Sequence, residues 1–245
     1  MSALAFSMPD QPAGVPDVVA PPGDLESNEP EMETYLHLIQ MILLLESLEL
    51  HWKDRNDFFA AGNLTVYFSP RQLKSEHFRG PDFFVVLGTE RRPRKSWTVW
   101  DEDGRYPNVI VEILSDTTQS LDRGLKKQTY QDIFRTPDYF WFHPETRELA
   151  GFHLVEGNYE PLAPDAQGRL WSAQLELFLA EHEGKLRLFT PEGALLPAAR
   201  ELQQRAEALE QRADTAEQRA DTAEQRALRL AEALRAMGVD PDTLK

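Results

Sequence analysis

Near the start of the chain, apolar residues recur at three- and four-residue spacing, which is the period of an amphipathic helix. Pro30 stands close to the beginning of this pattern, and the predicted helix extends to about Leu50. A second helical pattern covers residues 117–134 and stops before Pro137, because proline disfavours the helical conformation in the residue that precedes it. The apolar positions of the first helix are Met32, Leu36, Ile39 and Leu43, with Ile42 and Leu45 beside them.

The other apolar runs are short, aromatic or β-branched, and bounded by Gly, Pro, Asp or Asn, as is typical of strands. The order of helix, strands, helix and strand predicts an α/β fold with a mixed sheet flanked by helices. The predicted strands are residues 64–68, 83–87, 97–100, 109–114 and 139–142, with weaker patterns at 149–154 and 186–189.

The last part of the chain carries a heptad pattern. Residues 213–219, ADTAEQR, are repeated identically as residues 220–226, and apolar residues alternate at steps of four and three from Leu202 to Met237. This pattern predicts a coiled-coil helix over residues 197–238. Glutamates at its e positions would face arginines at the g positions of a parallel partner, which favours a parallel homo-oligomer. A single helix exposed to solvent is the alternative interpretation.

These patterns divide the chain into four parts. Residues 1–30 hold six of the 17 prolines together with scattered acids, and we predict a disordered acidic tail. Residues 31–196 form the predicted globular domain, and residues 197–238 form the coiled-coil helix. Residues 239–245 are a short tail.

Composition excludes several classes of protein. The chain has no cysteine, which excludes a disulfide framework, thiolate zinc sites and a cysteine nucleophile. The net charge of −15 argues against a protein that coats nucleic acid through bulk electrostatics, so an anionic substrate would need a local basic group or a metal ion.

No apolar run approaches the roughly 20 residues that cross a bilayer, and the chain begins without a secretory signal. We therefore expect no membrane partner and a cytoplasmic location.

Glu112 is an unusual residue in its predicted strand. Residues 109–114 are apolar on both faces apart from this side chain, as in a central strand that is covered on both sides. A carboxylate in such a strand is costly unless it meets a cation, a hydrogen-bond donor or a metal ion, or is protonated. The alternative is a strand end at which Glu112 reaches water.

Two neighbouring features favour a metal site. Asp82 stands immediately before the strand 83–87, and the helix after Glu112 carries Lys126 and Lys127. Two carboxylates on adjacent strands with an ammonium group beside them would suit Mg²⁺, or Mn²⁺ in its place, because these ions prefer hard oxygen ligands. Such a site can bind a phosphate, activate water and stabilise developing negative charge.

Four short motifs occur in the order and spacing of a known family. The chain resembles the Uma-type restriction endonuclease family of the PD-(D/E)XK nuclease superfamily over roughly residues 32–195. The resemblance implies a restriction-endonuclease-like fold and magnesium-dependent hydrolysis of phosphodiester bonds, with DNA as the substrate. The motifs are Gly80-Pro81-Asp82, Val111-Glu112-Ile113-Leu114-Ser115, Asp122-x-Gly124-x-Lys126-x-x-x-Tyr130 and Pro137-Asp138-Tyr139-Phe140-Trp141-Phe142.

The resemblance also implies roles for individual residues. Asp82 and Glu112 would bind the metal, with the carbonyl group of Ile113 as a third ligand. Lys126 would orient the attacking water or stabilise the transition state. Lys127 is the neighbouring alternative, although it points about 100° away around the helix.

The chain departs from the superfamily pattern at Leu114, where a lysine is usual; in the Uma-type variant the following helix supplies it. Some members also use a glutamate from the first helix, for which Glu33 is the candidate. The missing strand lysine and the acidic charge support a second hypothesis, an inactive nuclease-like domain that acts as a coiled-coil scaffold. The basic loop, residues 91–95, has two interpretations as well, a contact to a phosphate backbone or a solvated run of charge.

Overall fold

The computed structural model describes residues 35–68, 78–115 and 122–237. The predictions for residues 1–30, for Glu33 and for residues 239–245 lie outside these ranges. Helix α1 spans Tyr35–His51. Helix α2 consists of three consecutive turns, Asp122–Lys126, Lys127–Thr129 and Tyr130–Phe134, of which the first and last have π-helical hydrogen bonding. Helix α3 spans Ala199–Ala236.

Twelve strands lie within the described residues. They are β1 (Phe58–Gly62), β2 (Val66–Tyr67), β3 (Phe78–Arg79), β4 (Phe83–Leu87), β5 (Trp97–Thr98), β6 (Val109–Ile113), β7 (Asp138–Phe142), β8 (Leu149–Val155), β9 (Asn158–Pro161), β10 (Leu170–Ser172), β11 (Leu177–His182) and β12 (Lys185–Phe189).

The main sheet has six strands in the order β1-β4-β6-β7-β8-β9. Strands β6 and β7 are parallel, and α2 lies between them in the chain, whereas the other neighbouring pairs are antiparallel. The predicted mixed sheet with flanking helices is therefore confirmed. Two three-stranded sheets accompany it, one formed by β10-β11-β12 and one by β3-β2-β5.

Strand β6 lies at the centre of the main sheet and is buried on both faces, as its sequence predicts. Val109 and Val111 pack in one hydrophobic core, which also contains the apolar side chains of α1 and of β10–β12. Ile110 and Leu114 pack in a second core on the opposite face, together with aromatic residues of α2. Glu112 shares this second face with Ile110, since side chains alternate along a strand.

Helix α1 buries a face that overlaps the predicted one only in part, since Leu43 of the predicted series is buried. Leu36, assigned to the apolar series, is 52% exposed. The buried face includes two polar residues that have partners: Gln40 exchanges two hydrogen bonds with the backbone of Leu186, and His37 contacts Asp82. A hydrophobic pattern does not identify this face, because the partners come from distant parts of the chain. The buried residues of α1 are His37, Gln40, Met41, Leu43, Leu44, Ser47 and Leu48.

Several strand predictions also differ from the structure. Strand β1 has the sequence FFAAG, whose Ala and Gly residues have low β-propensity, and it forms through its pairing with β4. The predicted strand 64–68 shortens to β2, and the predicted strand 97–100 ends at Thr98 and continues as a 3₁₀ turn, Val99–Asp101.

The chain divides into two units between Leu196 and Pro197. The second unit contains α3, in which no residue is buried. None of the described helices is long and apolar enough to cross a membrane.

Candidate active site

Asp82 and Glu112 lie side by side at one end of the central strands. Strand β4 begins one residue after Asp82, and the pairing of Phe83 with Val111 in the antiparallel ladder places Asp82 next to Glu112. The backbone N–H of Ile113 donates to Asp82 Oδ2 over 2.6 Å. Asp82 is 9% exposed and Glu112 is completely buried. The alternative in which Glu112 reaches water at a strand end is therefore wrong.

Helix α2 supplies two donors to the carboxylate of Glu112. The Nζ atom of Lys126 lies 3.1 Å from Glu112 Oε2, and the hydroxyl of Tyr130 donates to Oε1 over 2.7 Å. Lys127 points elsewhere, with its Nζ atom 3.4 Å from the ring centre of Phe152. The structure thus brings Lys126, rather than Lys127, to the carboxylate pair.

The backbone of α2 is irregular where it faces the site. Lys126 ends one π-helical turn and Tyr130 begins the next, with a short α-helical piece between them. π-Helical turns are rare and occur frequently at functional sites. In this protein each of the two π-helical turns contains one of the residues that hold Glu112.

Asp82 has a partner that sequence reasoning missed. The Nε2 atom of His37 in α1 lies 2.9 Å from Asp82 Oδ1, and the imidazole is buried. Burial raises the pKa of Asp82, but the hydrogen bond from His37 and the charge of Lys126 outweigh it, so the pKa lies below the ordinary value. The spacing of apolar residues gives no signal for His37, because the predicted apolar series includes its neighbour Leu36 instead and its partner Asp82 is remote in the sequence.

The close approach of α1 to the sheet depends on Gly62. A Cβ atom at this position would lie 2.5 Å from the sulfur of Met41, which is one turn beyond His37 in the same helix. The backbone N–H of Asn63, the next residue, donates to the carbonyl of Asp82 over 3.0 Å. The bare backbone at Gly62 therefore lets α1 pack where His37 reaches Asp82.

The charges and donors of this cluster suit a divalent cation. Glu112 accepts a hydrogen bond from the Tyr130 hydroxyl, and its other oxygen lies beside the Nζ atom of Lys126. Asp82 accepts a hydrogen bond from the Ile113 N–H, and its other oxygen lies beside the Nε2 atom of His37. Burial, followed by the charge of Glu112 and its hydrogen bond, raises the pKa of Tyr130 well above its ordinary value, so its hydroxyl stays protonated. The described residues contain no group of three or more His, Asp or Glu side chains able to hold a metal. Two carboxylates are nevertheless as many as a hard divalent cation needs when it retains several of its waters.

The basic loop is held largely by ion pairs to neighbouring acids. The Arg94 side chain is only 3% exposed, forms a bidentate ion pair with Glu102, and stacks on the rings of Phe59 and Trp97. Arg92 also binds Glu102, at 2.8 Å. Arg94 is consequently part of the packed structure, whereas the side chains of Arg91 and Arg92 are 40% and 46% exposed. A contact of this loop to a phosphate backbone stays a prediction.

Two comparisons with known proteins found matches to this chain. The family model Uma2, described as a putative restriction endonuclease, matches residues 20–181. The chain is also similar to the crystal structure of a putative nuclease belonging to DUF820 from Anabaena variabilis, with 16% identity, a TM-score of 0.44, and coverage of 62% of this chain and 80% of that chain. No curated protein is significantly similar to the chain in sequence.

Proposed function

Because this chain belongs to the Uma2 family of putative restriction endonucleases, we propose that it hydrolyses phosphodiester bonds with the help of Mg²⁺ and that DNA is its substrate. The observation that carries the proposal is the convergence of Asp82, Glu112 and Lys126, three residues from separate elements. The description of the family as restriction endonucleases supports DNA rather than RNA.

Each residue of the cluster would have a distinct task. Asp82 and Glu112 would bind the cation, and the carbonyl of Ile113 is proposed as a third protein ligand. The bound metal would neutralise phosphate charge and lower the pKa of a coordinated water. Lys126 would place a fixed positive charge beside the reacting phosphate, where it stabilises negative charge that develops in the transition state. Tyr130 holds the orientation of Glu112 through its hydrogen bond to Oε1.

Titration with Mn²⁺ and Mg²⁺ tests the metal site directly. We expect calorimetry of the full chain to detect one divalent cation per site, and we expect binding to be lost in Asp82→Asn, because the amide removes one of the two negative charges. Plasmid DNA should be nicked or linearised only when Mg²⁺ or Mn²⁺ is present, and EDTA should stop the reaction. A chain that neither binds these cations nor cleaves plasmid, single-stranded DNA or RNA would contradict the proposal and support the scaffold hypothesis.

His37→Ala should weaken Mn²⁺ binding by about 10- to 100-fold, the usual effect of removing a group that orients a metal ligand. The reason is that His37 fixes one oxygen of Asp82 from α1. His37→Gln retains a donor at this position and should recover part of the affinity.

Gln40→Ala is the matched control for His37. Gln40 is also buried on α1, but it bonds to the backbone of Leu186 and not to the carboxylate pair. The variant Gln40→Ala should have a lower melting temperature than wild type and the same affinity for Mn²⁺. Equal affinities in Gln40→Ala and His37→Ala would show that His37 only stabilises the fold.

A further inference from the structure

Helix α3 presents an uninterrupted apolar stripe to solvent. None of its 38 residues is buried, and Leu209 and Leu230 are 64% and 63% exposed. Helices in proteins obtain most of their stability from packing of an apolar face rather than from intrinsic propensity. We propose that this stripe docks on the same stripe of a second copy of the chain, forming a parallel two-stranded coiled coil. This proposal is independent of the proposed hydrolysis.

The stripe has the geometry of a coiled-coil seam. Its residues occupy the a and d positions of consecutive heptads, which keep one side of each helix facing the partner. The central layers of the seam are alanines. They allow two helices to approach closely, although each alanine buries little apolar area. The terminal layers contain most of the larger side chains. The seam consists of Leu202, Ala206, Leu209, Ala213, Ala216, Ala220, Ala223, Ala227, Leu230, Leu234 and Met237.

The charges beside the seam select both the partner and its orientation. In a parallel pair, each g position faces the e position of the following heptad on the other helix, and three successive pairs of this kind are Arg with Glu. In an antiparallel pair, g would face g and e would face e, so that like charges would meet. The sequence is therefore complementary to itself only in the parallel arrangement. The pairs are Arg205 with Glu210, Arg212 with Glu217, and Arg219 with Glu224.

The register depends on the ends of the helix. Because residues 213–219 and 220–226 are identical, a slip of seven residues would preserve the alanine layers and the charge pairs at the centre. The same slip would leave Leu202 without a matching layer and would place Leu230 opposite alanine. The larger apolar residues at both ends therefore favour the in-register dimer.

Sedimentation of the full chain and of charge variants tests the dimer. The wild-type chain should sediment at twice its own mass. The variant Glu210→Arg/Glu217→Arg/Glu224→Arg should dimerise at least tenfold more weakly, because all three Arg–Glu pairs become repulsive Arg–Arg pairs. An equimolar mixture with Arg205→Glu/Arg212→Glu/Arg219→Glu should restore a mixed dimer. A monomeric wild-type chain, or a dimer that is insensitive to both variants, would overturn the proposal.

The absence of cysteine from the chain allows a direct test of orientation. Ala206→Cys places one thiol at an a position near the N-terminal end of α3, where two copies meet only in a parallel, in-register pair. Mild oxidation should join most of these chains covalently. Gln211→Cys, at an outward-facing f position of the same region, should remain largely uncrosslinked. A wild-type dimer in which Ala206→Cys crosslinks no better than Gln211→Cys would overturn the parallel arrangement.

Discussion

Glu112→Gln is expected to reduce metal-dependent cleavage of plasmid DNA by about 10²- to 10³-fold, the scale of losing a preorganised electrostatic interaction in an active site. Glutamine matches the size of glutamate, and its amide oxygen can still accept the hydrogen bond from Tyr130. It removes the negative charge that Lys126 and the proposed cation require. Initial rates of nicking at saturating Mg²⁺ measure the effect, and the circular dichroism spectrum verifies that the fold is retained.

Glu102→Gln is the matched control for Glu112→Gln. Glu102 is also a buried carboxylate, 7% exposed, but it pairs with Arg92 and Arg94 in the basic loop. Its replacement should lower stability, because Arg94 loses a charged partner. It should leave the cleavage rate within about threefold of wild type, since Glu102 pairs with Arg92 and Arg94 and not with the residues of the proposed site. Full activity in Glu112→Gln, or an equal loss in Glu102→Gln, would contradict the assignment of Glu112.

The central strands were predictable from sequence because they are buried on both faces. A strand covered by two cores reads as an unbroken apolar run, so β4, β6 and β7 were located to within one residue at each end. A carboxylate within such an apolar run, or directly before it, is easily recognised in the sequence because its neighbours are apolar. The sequence therefore predicts that Asp82 and Glu112 are neighbours.

The contribution of α1 to the site was not predictable in the same way. His37 is buried because Asp82 accepts its hydrogen bond, and Gln40 is buried because Leu186 lies opposite. Each partner is remote in sequence, so a pattern of apolar positions assigns the buried face to Leu36 and Ile39 instead.

The sequence alone does not show which lysine of α2, Lys126 or Lys127, faces the carboxylate pair. Adjacent residues on a helix point about 100° apart, and only the rotation of the helix about its axis decides which of them faces the strand. In α2 that rotation is altered by two π-helical turns, which the spacing of apolar residues does not reveal.

Lys126→Met is expected to lower the free energy of unfolding by about 3 kcal/mol in metal-free buffer, because breaking a buried ion pair leaves its partner charge uncompensated. Glu112 is completely buried, and the Lys126 side chain is only 16% exposed. For a protein of this size the loss corresponds to a decrease of roughly 6–12 °C in melting temperature. Saturating Mn²⁺ should raise the melting temperature of this variant more than that of wild type, since the cation replaces the missing positive charge. Differential scanning calorimetry with and without Mn²⁺ measures both changes.

Lys127→Met is the control that separates this charge effect from a general effect of removing a lysine from α2. Lys127 lies over the ring of Phe152, and burial lowers the pKa of its amine, so the protein environment disfavours its charge. Its replacement should therefore cost no more than about 1 kcal/mol, the value of a partly exposed cation–π contact. Mn²⁺ should then stabilise Lys127→Met and wild type equally. If the two variants lost equal stability and responded equally to Mn²⁺, Lys126 would not be the group that compensates Glu112, and its proposed role beside the phosphate would lose its physical basis.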